Sequence, residues 1–188
     1  MQVVSRRKLW LGMLAAGVLA LLAMVAFSGS ASAHHAKKSG NAEIDMKFDG
    51  QHAPKFTGDA TVKAGAKLKI VNKSDPMQIG PHSFSVVNQE SVPATKSDMR
   101  HCAHGHRPVC NAILAEHHPT KRGVKYPIVD AGKKGWDTST TPKHKGDSWV
   151  VFGQGESNTR KVTAEAGTTL YYFCIVHPEM HGKIKVVK

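Results

Sequence analysis

Close to the end of the chain, Cys174, His177 and Met180 follow one another in Cys174-Ile175-Val176-His177-Pro178-Glu179-Met180. The residues before them, Leu170-Tyr171-Tyr172-Phe173, have strand character, and alternation places Leu170, Tyr172 and Cys174 on one face. The strand thus delivers a cysteine from its core side just as the chain turns. Such a turn can wrap a histidine and a methionine around a single point. A thiolate, two imidazoles and a weak thioether form a donor set that suits copper in both oxidation states, soft sulfur favouring Cu(I) and nitrogen keeping Cu(II) accessible. The second imidazole must come from elsewhere, and His82 in Gly80-Pro81-His82-Ser83-Phe84 supplies it at the start of a strand. Taken singly, each residue has a plainer role: a buried thiol, a capping histidine, a core methionine. Four donors of these types at strand ends point to a metal.

The C-terminal run resembles the ligand loop of the cupredoxins, its short Cys-x-x-His-Pro-x-Met form being most similar to amicyanin and plastocyanin-like members. Pro81-His82-Ser83-Phe84 resembles the remote histidine motif of that family. The likeness covers roughly 43–88 and 148–188. It implies a cupredoxin-like Greek-key β-sandwich, with 72–75 ending the strand before the histidine loop. It also implies a single type 1 copper ion held by His82, Cys174, His177 and Met180, with Met180 axial, and single-electron transfer by Cu(II)/Cu(I) cycling. His177 would then lie near the surface in an apolar patch, with Ile79, Pro81, Ile175 and Pro178 as candidates to form it.

The elements that must position these residues read mostly as strands. Ile44, Met46 and Phe48 alternate with Glu43, Asp45 and Lys47, and Leu68, Ile70 and Asn72 alternate with Lys67, Lys69 and Val71. Further strands are expected in 82–87, 149–152, 160–164, 169–174 and 184–187, punctuated by turn pairs such as Asp49-Gly50 and Ala166-Gly167. Seven or eight short strands read as an all-β, antiparallel sandwich. From about 90 to 147 the pattern breaks into a segment rich in His, Lys, Gly, Pro and Thr. It is expected to be a long, loop-rich insertion with one short helix over 109–117, stopped by Pro119.

Ahead of the domain, Ser5-Arg6-Arg7-Lys8, the apolar run from Leu9 to Phe27 and Ala31-Ser32-Ala33 have the form of an export signal over 1–33. Sec and twin-arginine export both fit it, and the apolar run is long enough to stay as an uncleaved membrane anchor. A polar lead, 34–42, precedes the domain at 43–188, which is expected to work in the periplasm, at the envelope or outside the cell. Removing Arg6, Arg7 and Lys8 of the leader from the formal charge of +12 leaves +9, which predicts attraction to a redox partner acidic at its docking face, or to an anionic envelope surface. Scattered basic residues without aromatic interleaving or a recognition motif argue against nucleic acid. Lys121, Arg122, Lys125, Lys133, Lys134, Lys143 and Lys145 make the insertion basic.

With Cys174 assigned to copper, parity pairs Cys102 with Cys110 in a disulfide. The alternative for that stretch is a second metal site drawing on Cys102, Cys110, His101, His104 and His106. Histidines beyond the four-donor set, including His34-His35 and His117-His118, keep copper storage or delivery as the second functional reading. Enzymatic activity is not expected: multicopper oxidases and reductases need further cupredoxin domains, for which this chain has no room, and no binuclear Cys-x-x-x-Cys bridge is present.

Overall fold

The computed structural model describes residues 40–117, 130–131, 135–137 and 147–188. The expected leader over 1–33, the His34-His35 and His118 positions and the seven basic residues of the insertion lie outside the described residues.

Ten strands are found among the described residues: β1 (Ala42–Lys47), β2 (Lys55–Gly58), β3 (Thr61–Lys63), β4 (Lys67–Asn72), β5 (His82–Val87), β6 (Asp130–Ala131), β7 (Ser148–Val151), β8 (Ser157–Lys161), β9 (Thr169–Phe173) and β10 (His181–Val187). They form two sheets, one in the order β2-β1-β4-β8 and the other in the order β3-β10-β9-β5-β7-β6. The sandwich is as expected from the sequence; its pairing is not wholly antiparallel. β1 runs parallel to β4, and β10 runs parallel to β3. Both parallel pairs arise where the chain leaves one sheet and returns, so neighbours in space are not consecutive in sequence.

Alternation sets the inner faces. Ala42, Ile44 and Met46 of β1 and Leu68 and Ile70 of β4 meet Phe84 and Val86 of β5, and Leu170 and Tyr172 of β9, in one buried cluster. Aromatic rings lock its centre, with Phe84 4.6 Å from Tyr172 and 4.9 Å from Trp136. Trp136 belongs to the segment read from sequence as an insertion, yet it is fully buried in this core. Its indole N–H donates to the Leu68 carbonyl at 3.1 Å, and the Arg160 guanidinium lies 4.2 Å from its ring centre. Gly135 makes this entry possible: its φ is +133°, and a Cβ there would lie 2.6 Å from the Lys161 carbonyl oxygen.

The described part of the segment expected to be a loop-rich insertion with one short helix holds one helix more. Two helices, α2 (Lys96–Ala103) and α3 (Pro108–His117), follow a 3-10 turn at Gln89–Ser91, and a single-turn α1 (Pro76–Ile79) precedes β5. α3 corresponds to the helix expected over 109–117. α2 is opened by a capping box in which Thr95 and Asp98 bond each other's backbone N–H. The Thr-x-x-Asp spacing was a readable signal for this helix, obscured by the polar composition around it. α1 starts with Asp75 accepting from the Met77 N–H and Pro76 in its first turn. The helical pair covers the outer face of the larger sheet. Val87, Phe173 and Ile175 pack there against Cys102, Cys110 and Ile113 in a second apolar cluster. This is why β5 is buried on both faces along its whole length.

The Cys102–Cys110 disulfide ties α2 to α3 with a Cα–Cα distance of 5.2 Å. Closing so short a loop contributes about 2–3 kcal/mol. It also removes both cysteines from the alternative of a second site with sulfur ligands.

Candidate metal centre

Cys174 follows the last residue of β9, and His82 opens β5, the strand paired beside it. Antiparallel pairing of β5 with β9 therefore brings to one end of the sandwich two residues 92 positions apart. The ligand turn is short because its backbone closes on itself. The Cys174 N–H donates to the Met180 carbonyl at 2.9 Å and the Met180 N–H to the His177 carbonyl at 2.8 Å. β10 then leaves antiparallel to β9, with His181 opposite Phe173.

Cys174 is the only free cysteine, and it is buried. Its Sγ lies 3.7 Å from His177 Nδ1 and 4.0 Å from His82 Nδ1. The sulfur and one nitrogen of each ring all fall within 4.8 Å of one another. Donors on one ion, with metal–sulfur near ~2.3 Å and metal–nitrogen near ~2.0 Å, span separations of roughly 3.5–4 Å. Met180 is 1% exposed and belongs to the same buried cluster as Cys174. This is the donor set of a type 1 copper centre.

The surroundings of the type 1 centre suit a thiolate. Sγ accepts from the Ser83 N–H at 3.2 Å and from the His177 N–H at 3.4 Å. Burial pushes the Cys174 thiol up, and these two N–H groups pull the other way. Without a cation, a fully buried thiol here stays protonated; a bound cation is what makes it a thiolate. Burial, then the neighbouring His177, brings the His82 pKa down to about 4, and burial also lowers His177. Both rings are thus held neutral, with a lone pair to offer. Nδ1 is the His177 ring nitrogen that faces the sulfur.

The apolar rim differs in part from the expected one. Ile175 and Pro178 are buried, while Ile79 and Pro81 are half-buried. The exposed large hydrophobics among the described residues are instead Met77 on α1, Phe152 just after β7 and Val176 in the ligand turn. All three lie at the end of the sandwich where β5 begins, because His82 pairs with Val151. Met77 and Phe152 had no legible signal, since their place depends on which strand neighbours β5.

A chain of buried hydroxyls runs away from the centre. Ser83 Oγ accepts from the Ile175 N–H at 2.7 Å and lies 3.3 Å from Ser85 Oγ, which lies 2.7 Å from Ser148 Oγ. His117 Nε2 meets Ser148 Oγ at 2.8 Å. His117, counted in the sequence among the histidines open to extra copper, is therefore a buried structural residue, whereas His181 is exposed.

No protein-family model and no curated protein matches the sequence. Among solved structures, the chain is similar to the dithionite-reduced auracyanin of Roseiflexus castenholzii, at 18% identity over 80% of this chain and 98% of that one, with a TM-score of 0.41. Auracyanin A of Chloroflexus aurantiacus, described as a "blue" copper protein, is 19% identical over 78% of this chain and 99% of its own, with a TM-score of 0.39. The azurin Az-iso2 of Methylomonas sp. strain J is 15% identical over 80% and 99% of the two chains, with a TM-score of 0.40.

Proposed function

We propose that the protein is an exported carrier of single electrons, using one copper ion held by His82, Cys174, His177 and Met180. The observation that supports this reading best is the convergence of the Cys174 thiol with the Nδ1 atoms of His82 and His177 at a buried strand end. Copper bound there supplies a Cu(II)/Cu(I) couple. The protein's part is to hold the donors still. Two N–H bonds to the sulfur and a self-closed ligand turn keep the donors fixed while the charge changes. Little rearrangement means a small barrier to electron exchange.

His177 is the least buried of the four donors and lies at the end bearing Met77, Phe152 and Val176. We assign that apolar rim as the docking face and the His177 edge as the exit for the electron. Without Arg6, Arg7 and Lys8 of the leader the formal charge of +12 becomes +9, which favours a partner with acidic groups around its own contact, or an anionic envelope surface.

The test is an optical spectrum of the mature protein with one equivalent of Cu(II), with metal analysis alongside. An intense band near ~600 nm at one copper per chain, bleached by mild reductant, supports the reading. One equivalent bound tightly without that band, or no binding, rejects it. N-terminal sequencing of the exported protein tests the leader, the expected first residue being His34.

A further inference from the structure

We propose that His101, His104 and His106 form a second, surface metal site for an imidazole-binding divalent ion, with Cu(II) the favoured occupant. This proposal is independent of the type 1 centre.

The site is built by the way α2 ends. Gly105 adopts φ +69°, its N–H donates to the Cys102 carbonyl at 2.8 Å, and the His106 N–H donates to the His101 carbonyl at 2.8 Å. These two bonds define a Schellman cap, in which the side chains of the third-last helical residue and the second residue past the cap are brought together, commonly as an apolar pair. Here those two positions are His101 and His106. Their ring centres lie 6.0 Å apart, and His104, the cap residue itself, places its ring 5.9 Å from that of His106.

All three side chains are exposed. An apolar cap contact has a packing reason; three solvent-facing imidazoles gathered at one turn have none. Two imidazoles sharing one ion at metal–nitrogen distances of ~2.0–2.1 Å have ring centres roughly 5–6 Å apart. As the side chains stand, their nitrogens do not converge within 4.8 Å as the donors of His82, Cys174 and His177 do, so the site closes by rotation of the exposed rings. The turn cannot readily open, because the Cys102–Cys110 disulfide spans it.

Of the charged groups nearby, Arg100 in the last turn of α2 opposes a bound cation and the helix end favours it. The C-terminal carbonyls of α2 present the negative end of its dipole to the cluster. Arg107, the nearest following cation, is turned aside: its guanidinium donates to the Glu90 carbonyl at 3.1 Å and lies 4.0 Å from Asp98 Oδ1. Imidazole suits copper, nickel and zinc, and Cu(II) heads the affinity order for divalent ions at a nitrogen site.

The experiment is titration of the copper-loaded mature protein with further Cu(II), read by electron paramagnetic resonance and calorimetry. The expected result is one additional equivalent with the broad hyperfine pattern of an ordinary nitrogen-ligated Cu(II), distinct from the type 1 signal. In H101A/H106A and H104A/H106A its affinity falls at least about tenfold, the loss that removing even an outer-shell partner brings. The type 1 band stays intact in both variants and reports that they are folded. H52A, a histidine on the β1–β2 connection, leaves the second equivalent unchanged. No second equivalent, or one that persists undiminished in both double variants, overturns the site.

Discussion

The backbone N–H of Ser83 donates to Cys174 Sγ at 3.2 Å, while the hydroxyl of the same serine accepts from the Ile175 N–H at 2.7 Å. One residue of β5 thus holds both the sulfur and the residue after it, fixing the ligand turn on the strand that carries His82. Ser83→Ala keeps the first bond and deletes the second, leaving the Ile175 N–H buried without its acceptor. The expected loss is about 1–3 kcal/mol, measured by urea unfolding, with copper still bound and the sulfur-to-copper band shifted.

Met180 and Cys174 should separate in their effects. Cys174→Ser abolishes the intense visible band, because the thiolate is gone. Met180→Gln and Met180→Leu both retain copper and move the potential in opposite directions. The harder oxygen donor favours Cu(II) and lowers it, whereas loss of the axial donor to a hydrocarbon favours Cu(I) and raises it. Cyclic voltammetry of the two variants checks the sign; shifts in the same direction would refute it.

The metal-free protein should lose stability as pH falls from 6.5 to about 4, in part through His82, whose folded pKa is near the lower value and whose ordinary value is the upper one. In that window the unfolded chain takes up a proton on this ring and the folded chain does not, so stability falls with pH and levels off below it. Thermal unfolding of the copper-free protein across this range provides the measurement. His82→Gln should flatten the slope.

Trp136→Ala should destabilise the whole domain by about 3–5 kcal/mol, the usual cost of emptying an aromatic position in a core. The Arg160 guanidinium would also lose the ring against which it packs. A change below about 1 kcal/mol in denaturant unfolding would mean that this segment only decorates the sandwich.

The rim at the copper end should control exchange without affecting the metal. Met77, 91% exposed, replaced by Lys adds a charge to the apolar rim proposed for docking. The electron self-exchange rate, followed by line broadening in mixtures of oxidised and reduced protein, should fall while the visible band is unchanged. With an acidic partner, the wild-type rate should decline as salt is raised. A self-exchange rate untouched by Met77→Lys would place the contact elsewhere.

The sequence by itself determined the chemistry and much of the strand content. Cys174, His177 and Met180 are local, so their spacing alone puts three donors on one turn, and parity of cysteines left Cys102 and Cys110 to pair with each other. Alternation showed which residues of β1, β4 and β9 face a core. It could not show what those faces meet. His82 reaches Cys174 only because β5 and β9 are neighbours, and that adjacency joins residues 92 positions apart. The parallel pairings of β1 with β4 and β3 with β10 are likewise properties of the sheet order. The segment after Glu90 looked like loop because its apolar residues are sparse and divided between two destinations. Cys102, Cys110 and Ile113 cover the outer face of β5 and β9, while Trp136 enters the inner core. The exposed apolar rim was least legible. Met77, Phe152 and Val176 lie on three separate connections, and only the packing of the sandwich brings them to the same end as His177. Periodicity is a property of one strand, whereas a site or a surface is made by strands that meet, and that choice belongs to the tertiary structure.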